Sequence, residues 1–195
     1  MKQTLTPNDV AFLDSIEGWL SFNESLTLFD LVCESPNKLV VEIGAWKGRS
    51  TAWLWMASEL AHKHLYTIDH FKGSSEHKKM YGETLDTYPD FCKNMTRLMK
   101  LIGVTTPIHV LKESSDEAVE RFDDNSIGML FIDASHEYEF VKQDLDLWLP
   151  KVSTIGIIAL HDSNFVGVNR AIQELNLGPM WNINDSILSF RKYML

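Results

Sequence analysis

Five short, unbroken apolar runs recur along the chain, at 38–43, 65–69, 108–111, 127–133 and 156–162, and each is followed, directly or after a loop, by residues with helical apolar spacing. A run that is apolar throughout, rather than alternating, suits a strand covered on both faces, and strands separated by helices pair in parallel through crossovers. The predicted fold class is therefore α/β, a doubly wound parallel sheet. Helices are expected at 50–64, 91–102, 116–122, 138–149 and 167–175, with a helical lead-in at 7–15 and 21–34 that Pro36 and Asn37 stop. Residues 70–90 turn polar, with Gly73, Ser74, Ser75, Gly82 and Pro89, and read as a loop-rich insertion. The stretch 181–193, with Asn184 and Asp185 at a turn, reads as a hairpin.

The 195 residues, 45% of them hydrophobic, suit one domain with a full core, 1–195. A net charge of −9 disfavours nucleic acid, whose phosphates are gripped by Lys and Arg, and leaves a small molecule as the better partner. Self-association is left open. Cys33 and Cys92 lie in helical segments without metal-ligand or redox spacing and are expected as reduced core thiols. No apolar signal region opens the chain and no stretch reaches the roughly 18 apolar residues of a membrane span, so the expectation is a cytoplasmic protein with no membrane partner.

The first run leads into LVVEIGAWKGRST at 39–51, a strand, a turn with two glycines and a helix start. In an open parallel sheet, ligands sit beyond the carboxyl ends of the strands where strand order reverses, and the first strand-to-helix turn lies there. A dinucleotide fingerprint would be G-x-G-x-x-G; here Glu42 precedes Gly44 and Gly48, a wider spacing. That pattern suits a ligand without phosphate and with a cationic end, such as S-adenosylmethionine, which Glu42 could favour. The alternative is that both glycines only make a tight turn. Asp69 ends the second run 25 residues beyond Gly44, where a ribose-binding carboxylate is expected in such sheets.

VEIGAWKGRS at 41–50 and YTID at 66–69 resemble the first two motifs of class I S-adenosylmethionine-dependent methyltransferases. IDASHEY at 132–138, VKQDL at 141–145 and LHD at 160–162 are similar to a small bacterial branch related to macrocin-type sugar O-methyltransferases. The resemblance implies a Rossmann-like, mostly parallel seven-stranded sheet with a C-terminal antiparallel hairpin, and transfer of a methyl group to a small-molecule hydroxyl. By it, the turn from Gly44 through Ala45, Trp46 and Gly48 to Ser50 would face the methionyl part, Asp69 with His70 beside it the ribose, and Ser114 and Ser115 the adenine. Trp19 and Glu24 would close over the cofactor, and the 70–95 insertion would face the acceptor.

Asp133 and Asp162 end the fourth and fifth runs, with His136 and His161 close by. Asp133, His161 and Asp162 form a candidate site for a divalent metal, Mg²⁺ or Mn²⁺, which would ease deprotonation of a hydroxyl. Asp133 and His136 are the candidate catalytic residues, His136 as base. The same groups could instead cap a helix or anchor loops. The metal-dependent relatives tend to carry two adjacent carboxylates where this chain has His161 and Asp162. His70, Lys72, His77, Lys78 and Lys79 in the insertion could dock an anionic or polyol acceptor, or be a solvated basic loop. Two rivals keep the sheet and change the chemistry: a nicotinamide-dependent oxidoreductase, against which the missing three-glycine fingerprint counts, and an adenosyl-ligand-binding module without catalysis.

Overall fold

The computed structural model describes residues 5–175, 180–182 and 186–191. Two helices lead in, α1 (Pro7–Asp14) and α2 (Phe22–Glu34), each opened by a capping box, Thr6 with Asp9 and Ser21 with Glu24. Then follow β1 (Leu39–Ile43), α3 (Arg49–Ala61), β2 (His64–Ile68), α4 (Ser75–Tyr81), α5 (Tyr88–Ile102), β3 (Ile108–Leu111) and α6 (Ser115–Ala118), the last running into a 3-10 turn. After these come β4 (Ile127–Ile132), α7 (Tyr138–Trp148), β5 (Val152–Leu160), α8 (Val166–Glu174), β6 (Met180–Asn182) and β7 (Leu188–Arg191).

The sheet runs in the order β3-β2-β1-β4-β5-β7-β6. Its body is the five parallel strands β3, β2, β1, β4 and β5. The chain's C-terminal strands are short: β7 lies antiparallel to β5 and β6 antiparallel to β7. The turn expected at Asn184 and Asp185 lies outside the described residues. Strand order reverses between β1 and β4, so the crossovers leaving their carboxyl ends diverge and open a crevice there.

Two apolar layers sandwich the parallel body, as unbroken apolar strands require. Every residue of β4 is buried: Met129 and Phe131 pack with Leu28, Trp53 and Leu98 on one face, and Leu130 and Ile132 with Leu145, Trp148 and Ile172 on the other. Each such side chain contributes about 1.5–3 kcal/mol relative to exposure. Trp53 and Trp55 of α3 are both buried, which makes them packing residues and not ligand contacts.

Three local expectations are corrected. A helix, α4, stands inside the polar insertion, started by a capping box between Ser74 and His77. β5 begins at Val152 and not 156, its first residues pairing with the start of β4. Cys33 is exposed and Cys92 only half-buried, so neither is a core thiol. Among the described residues, no helix is long and apolar enough to cross a membrane.

Candidate functional site

Over the crevice lies a cavity of about 230 Å³, walled by the lead-in from Glu17 to Leu20, the glycine turn, α4, and the ends of β4 and β5. The glycines are needed where the chain passes closest to itself. A Cβ on Gly44 would meet the Asp133 carbonyl oxygen at 2.0 Å, and one on Gly48 would meet Met95 at 2.6 Å, both at positive φ. Gly44 therefore lets the ends of β1 and β4 approach, which brings the turn beside Asp133. Trp46 sits between them at φ 49°, a strained conformation for a bulky residue, with its ring stacked on His77 at 4.3 Å and its indole N–H buried without a partner.

Glu42, expected to favour a cationic cofactor, does not reach the cavity. Its carboxylate is fully buried beneath α3, where Ser50, Thr51 and Thr67 each donate a hydroxyl hydrogen bond of 2.6 Å. Burial pushes this carboxyl up to about 7, against the lowering effect of the three hydroxyls. It binds the start of α3 to β1 and β2, and Ser50, which does line the cavity, has its hydroxyl spent on this bond.

Asp69 also works on the turn. One of its oxygens accepts the amides of Ala45 and Trp46, each at 2.9 Å, and the other the amide of Phe71 at 2.6 Å. A carboxylate has about four acceptor positions, so one remains open. His70 is exposed beside it and accepts the Lys72 amide. Ser114 caps α6 with Glu117, and Ser115 donates to the buried Asp144. Asp69, His70, Ser114 and Ser115 thus lie at the ends of β2 and β3 but outside the cavity wall.

Asp133, His136 and Asp162 converge, each offering a ligand atom within 4.8 Å of the others. The cluster differs from the expected metal set, since His136 joins the two aspartates and His161 stands behind them. The His161 ring is 5% exposed; its Nδ1 donates to Asp162 at 2.8 Å and lies 3.3 Å from Asp133, while its Nε2 points at Glu24 of α2, 3.6 Å away. Burial opposes a charge on this ring, but Asp133 and Asp162 outweigh it and raise its pKa to about 11. His161 is therefore a charged brace, with both nitrogens turned to carboxylates, and not a free ligand.

His136 bridges Asp162 at 2.8 Å and Glu76 of α4 at 2.8 Å. The bond to Asp162, helped by Glu76 and opposed by burial, lifts its pKa to about 9. In this arrangement His136 holds its proton at neutral pH and is a donor, contrary to the expected free base. Both imidazoles hold the Asp162 carboxyl far below its ordinary range although burial would raise it. Asp162 has φ 53°, so strained backbone sits at both rims of the cavity.

Two further residues escaped the sequence reading. Glu76 carried no motif. Arg49 follows Gly48, and its guanidinium is spent on the lead-in: Nε donates to Leu20 O at 2.6 Å, Nη1 to Ile16 O at 2.9 Å, and the rest of the fork to Asp14. Lys47 adds an ion pair with Glu17 at 2.9 Å. The basic residues of the turn hold the lead-in over the cavity.

Comparison with known proteins agrees with this layout. The chain matches 98 residues of an uncharacterized protein of Sinorhizobium fredii at 27% identity, covering 50% of this chain and 10% of that one, so it spans about a tenth of that relative's length. Among solved structures, a Corynebacterium glutamicum protein superposes with TM-score 0.71 at 14% identity, over 98% of this chain and 93% of its own. The O-methyltransferase NovP gives 0.69 at 14% identity over 90% and 83%. The O-methyltransferase TomG of Streptomyces achromogenes, involved in tomaymycin synthesis and solved with S-adenosylmethionine, gives 0.62 at 14% identity over 95% and 89%. At such identities the likeness concerns the fold. A family model described as a methyltransferase domain matches residues 41–163, from the glycine turn through the aspartates that end β4 and β5, and the chain belongs to that family.

Proposed function

We propose that the chain binds S-adenosylmethionine at the Gly44–Gly48 turn and catalyses methyl transfer to a hydroxyl of a small molecule, with a divalent cation, Mg²⁺ or Mn²⁺, at Asp133, His136 and Asp162. The observation that carries this reading is the shared cavity: the turn at the end of β1 and the carboxylate cluster at the ends of β4 and β5 open into one space. The donor set would fit a hard or borderline cation, with two carboxylates and one imidazole within reach of a common centre, His136 giving up the proton it shares with Asp162 as the ion binds. The bound cofactor supplies a methyl group on a cationic sulfur, and the cation supplies positive charge that eases loss of the hydroxyl proton.

The chain's own residues orient and shield. Asp69 fixes the turn through the Ala45 and Trp46 amides and keeps an acceptor position for a ribose hydroxyl. Trp19 and Trp46, with ring centroids 5.3 Å apart, stand beside the turn as an aromatic wall for the cofactor. Asp133, half-buried in the wall, is placed to accept the acceptor's proton, while His161 keeps Asp133 and Asp162 facing the cavity. Alignment of the hydroxyl with the sulfonium provides much of the remaining rate. The 70–95 segment forms the acceptor side, through Glu76, His77 and Met80 of α4.

Isothermal titration with S-adenosylhomocysteine and, separately, NAD, with and without Mn²⁺, tests the reading. Selective binding of S-adenosylhomocysteine is expected. Binding of NAD instead would replace methyl transfer with hydride chemistry. Manganese titration of Asp133→Asn and Asp162→Asn is expected to lose the ion while keeping S-adenosylhomocysteine; undiminished Mn²⁺ binding would remove the cation site.

A further inference from the structure

We infer that the acceptor is an uncharged aromatic hydroxyl compound, a phenol or catechol, seated with its ring against Phe165 and Met80 and its hydroxyl toward Asp133. The inference rests on the methyl-transfer reading and adds the class of substrate to it.

Three features of the cavity lead there. First, its rim carries large apolar side chains left open to solvent: Trp19 is 56% exposed, Met80 63% and Phe165 45%. They come from three separate segments, the lead-in, α4 and the loop before α8, and meet around one mouth. A ligand with an apolar face would cover them, and few soluble proteins leave such groups clustered without a use. The Phe165 ring lies 4.5 Å from that of His136, so an aromatic surface adjoins the group that flanks the two aspartates. A flat ring laid on Phe165 would carry its hydroxyl into the carboxylate cluster.

Second, the wall offers no free Lys or Arg for an anionic acceptor, and the charges on His136 and His161 are already matched by the carboxylates they bond. Among the described lining residues, Arg49 is the one Lys or Arg, and its donors go to Asp14, Ile16 and Leu20. Of the five residues that suggested an anionic or polyol acceptor in the sequence, His77 lines the cavity, and His70, Lys72, Lys78 and Lys79 do not.

Third, a polyol would need several polar partners at fixed angles, and most of the polar side chains in the wall are already engaged with one another or with the lead-in. The described wall contains no Asn, Gln, Thr or Tyr. The Ser50 hydroxyl donates to Glu42, while Glu76 and Asp162 are bound to His136. A sugar buried here would leave hydroxyls without partners, each a substantial cost. One or two hydroxyls can be served at Asp133, and the remainder of the acceptor must be apolar.

The test is calorimetric titration of the full chain, saturated with S-adenosylhomocysteine and Mg²⁺, with three probes: catechol, methyl glucopyranoside, and 3,4-dihydroxybenzoate, which is the catechol with a carboxylate added. Catechol is expected to bind at least about tenfold more tightly than either of the others, and Phe165→Ala and Met80→Ala to weaken it about fivefold each without changing S-adenosylhomocysteine affinity. Because both side chains are exposed and lie outside the two core clusters, neither change threatens folding. A glucoside or benzoate that binds as well as catechol, an unaffected Phe165→Ala, or no probe binding by a protein that does hold S-adenosylhomocysteine would each overturn the inference while leaving the cofactor assignment standing. Failure to bind S-adenosylhomocysteine would bring down the methyl-transfer reading itself, and this inference with it.

Discussion

Glu42 has only hydroxyls for partners, and their bonds do not fully offset the loss of water around a buried charge. Its pKa rises from 4.5 to about 7, so between those values the folded state holds a proton that the unfolded state has lost. Stability contributed by this group is therefore full below about pH 4.5 and falls as pH rises to about 7, by about 3 kcal/mol at most. Glu42→Gln, which keeps the shape without the titration, should lose correspondingly less stability between pH 5 and pH 8 in urea melts; parallel profiles for the two proteins would refute the account. The sequence could not separate this role from ligand binding, because a glutamate in an apolar strand looks the same in both. The distinguishing signal was present in Ser50, Thr51 and Thr67, hydroxyls at the start of the next helix and on the next strand. It becomes readable only once strand register puts Thr67 beside Glu42.

At the scale of elements, the lead-in is held by packing, with Leu13, Ile16 and Leu20 buried in the core, and by one side chain that ties its loop down. Arg49, the first residue of α3, donates to carbonyls at Ile16 and Leu20 and to Asp14, reaching across the loop between α1 and α2. Arg49→Lys keeps the charge but cannot reproduce the planar fork. It should speed amide exchange across 5–20 by about tenfold, as expected for about 1–2 kcal/mol of lost local stability, with β1 and β4 unchanged. Uniform protection in both proteins would mean that α1 is anchored otherwise. Gly48→Ala should destabilise the whole fold by about 1–3 kcal/mol, from positive φ and the clash with Met95, measurable as a lowered urea midpoint. Elements differed in how far the sequence revealed them. β1 and β4 were legible because strands buried on both faces must be apolar throughout. α4 was not, since none of its seven residues is buried and it carries no apolar stripe. It is held instead by polar contacts to the loop after β4, Ser75 to Glu137 and Glu76 to His136, which no spacing in the sequence announces.

Across the whole molecule, the cavity is assembled from segments far apart in sequence: 17–20, 44–50, 76–80, 133–136 and 161–165. Three follow strand ends fixed by the sheet, and two, the lead-in and α4, are tied to those fixed parts by side-chain bonds, the lead-in also by buried Leu13, Ile16 and Leu20. Arg49 joins the lead-in to the glycine turn, Glu24 of α2 faces His161 at the end of β5, and Glu76 of α4 meets His136. A ligand filling the cavity touches both the rigid and the tethered walls, so its binding energy should appear as stabilisation of the tethered ones. S-adenosylhomocysteine at one hundred times its dissociation constant should raise the unfolding free energy by about 2.7 kcal/mol. Local exchange should slow at 17–20 and 75–81 by more than at α7, which packs away from the crevice against the opposite face of the sheet. Hydrogen exchange followed by mass spectrometry with and without the ligand distinguishes the cases. Protection confined to 44–50 would mean that the lead-in and α4 stand as fixed walls that do not respond to cofactor, whereas protection spreading to both, with α7 unaffected, would identify them as the parts of the fold that close on it.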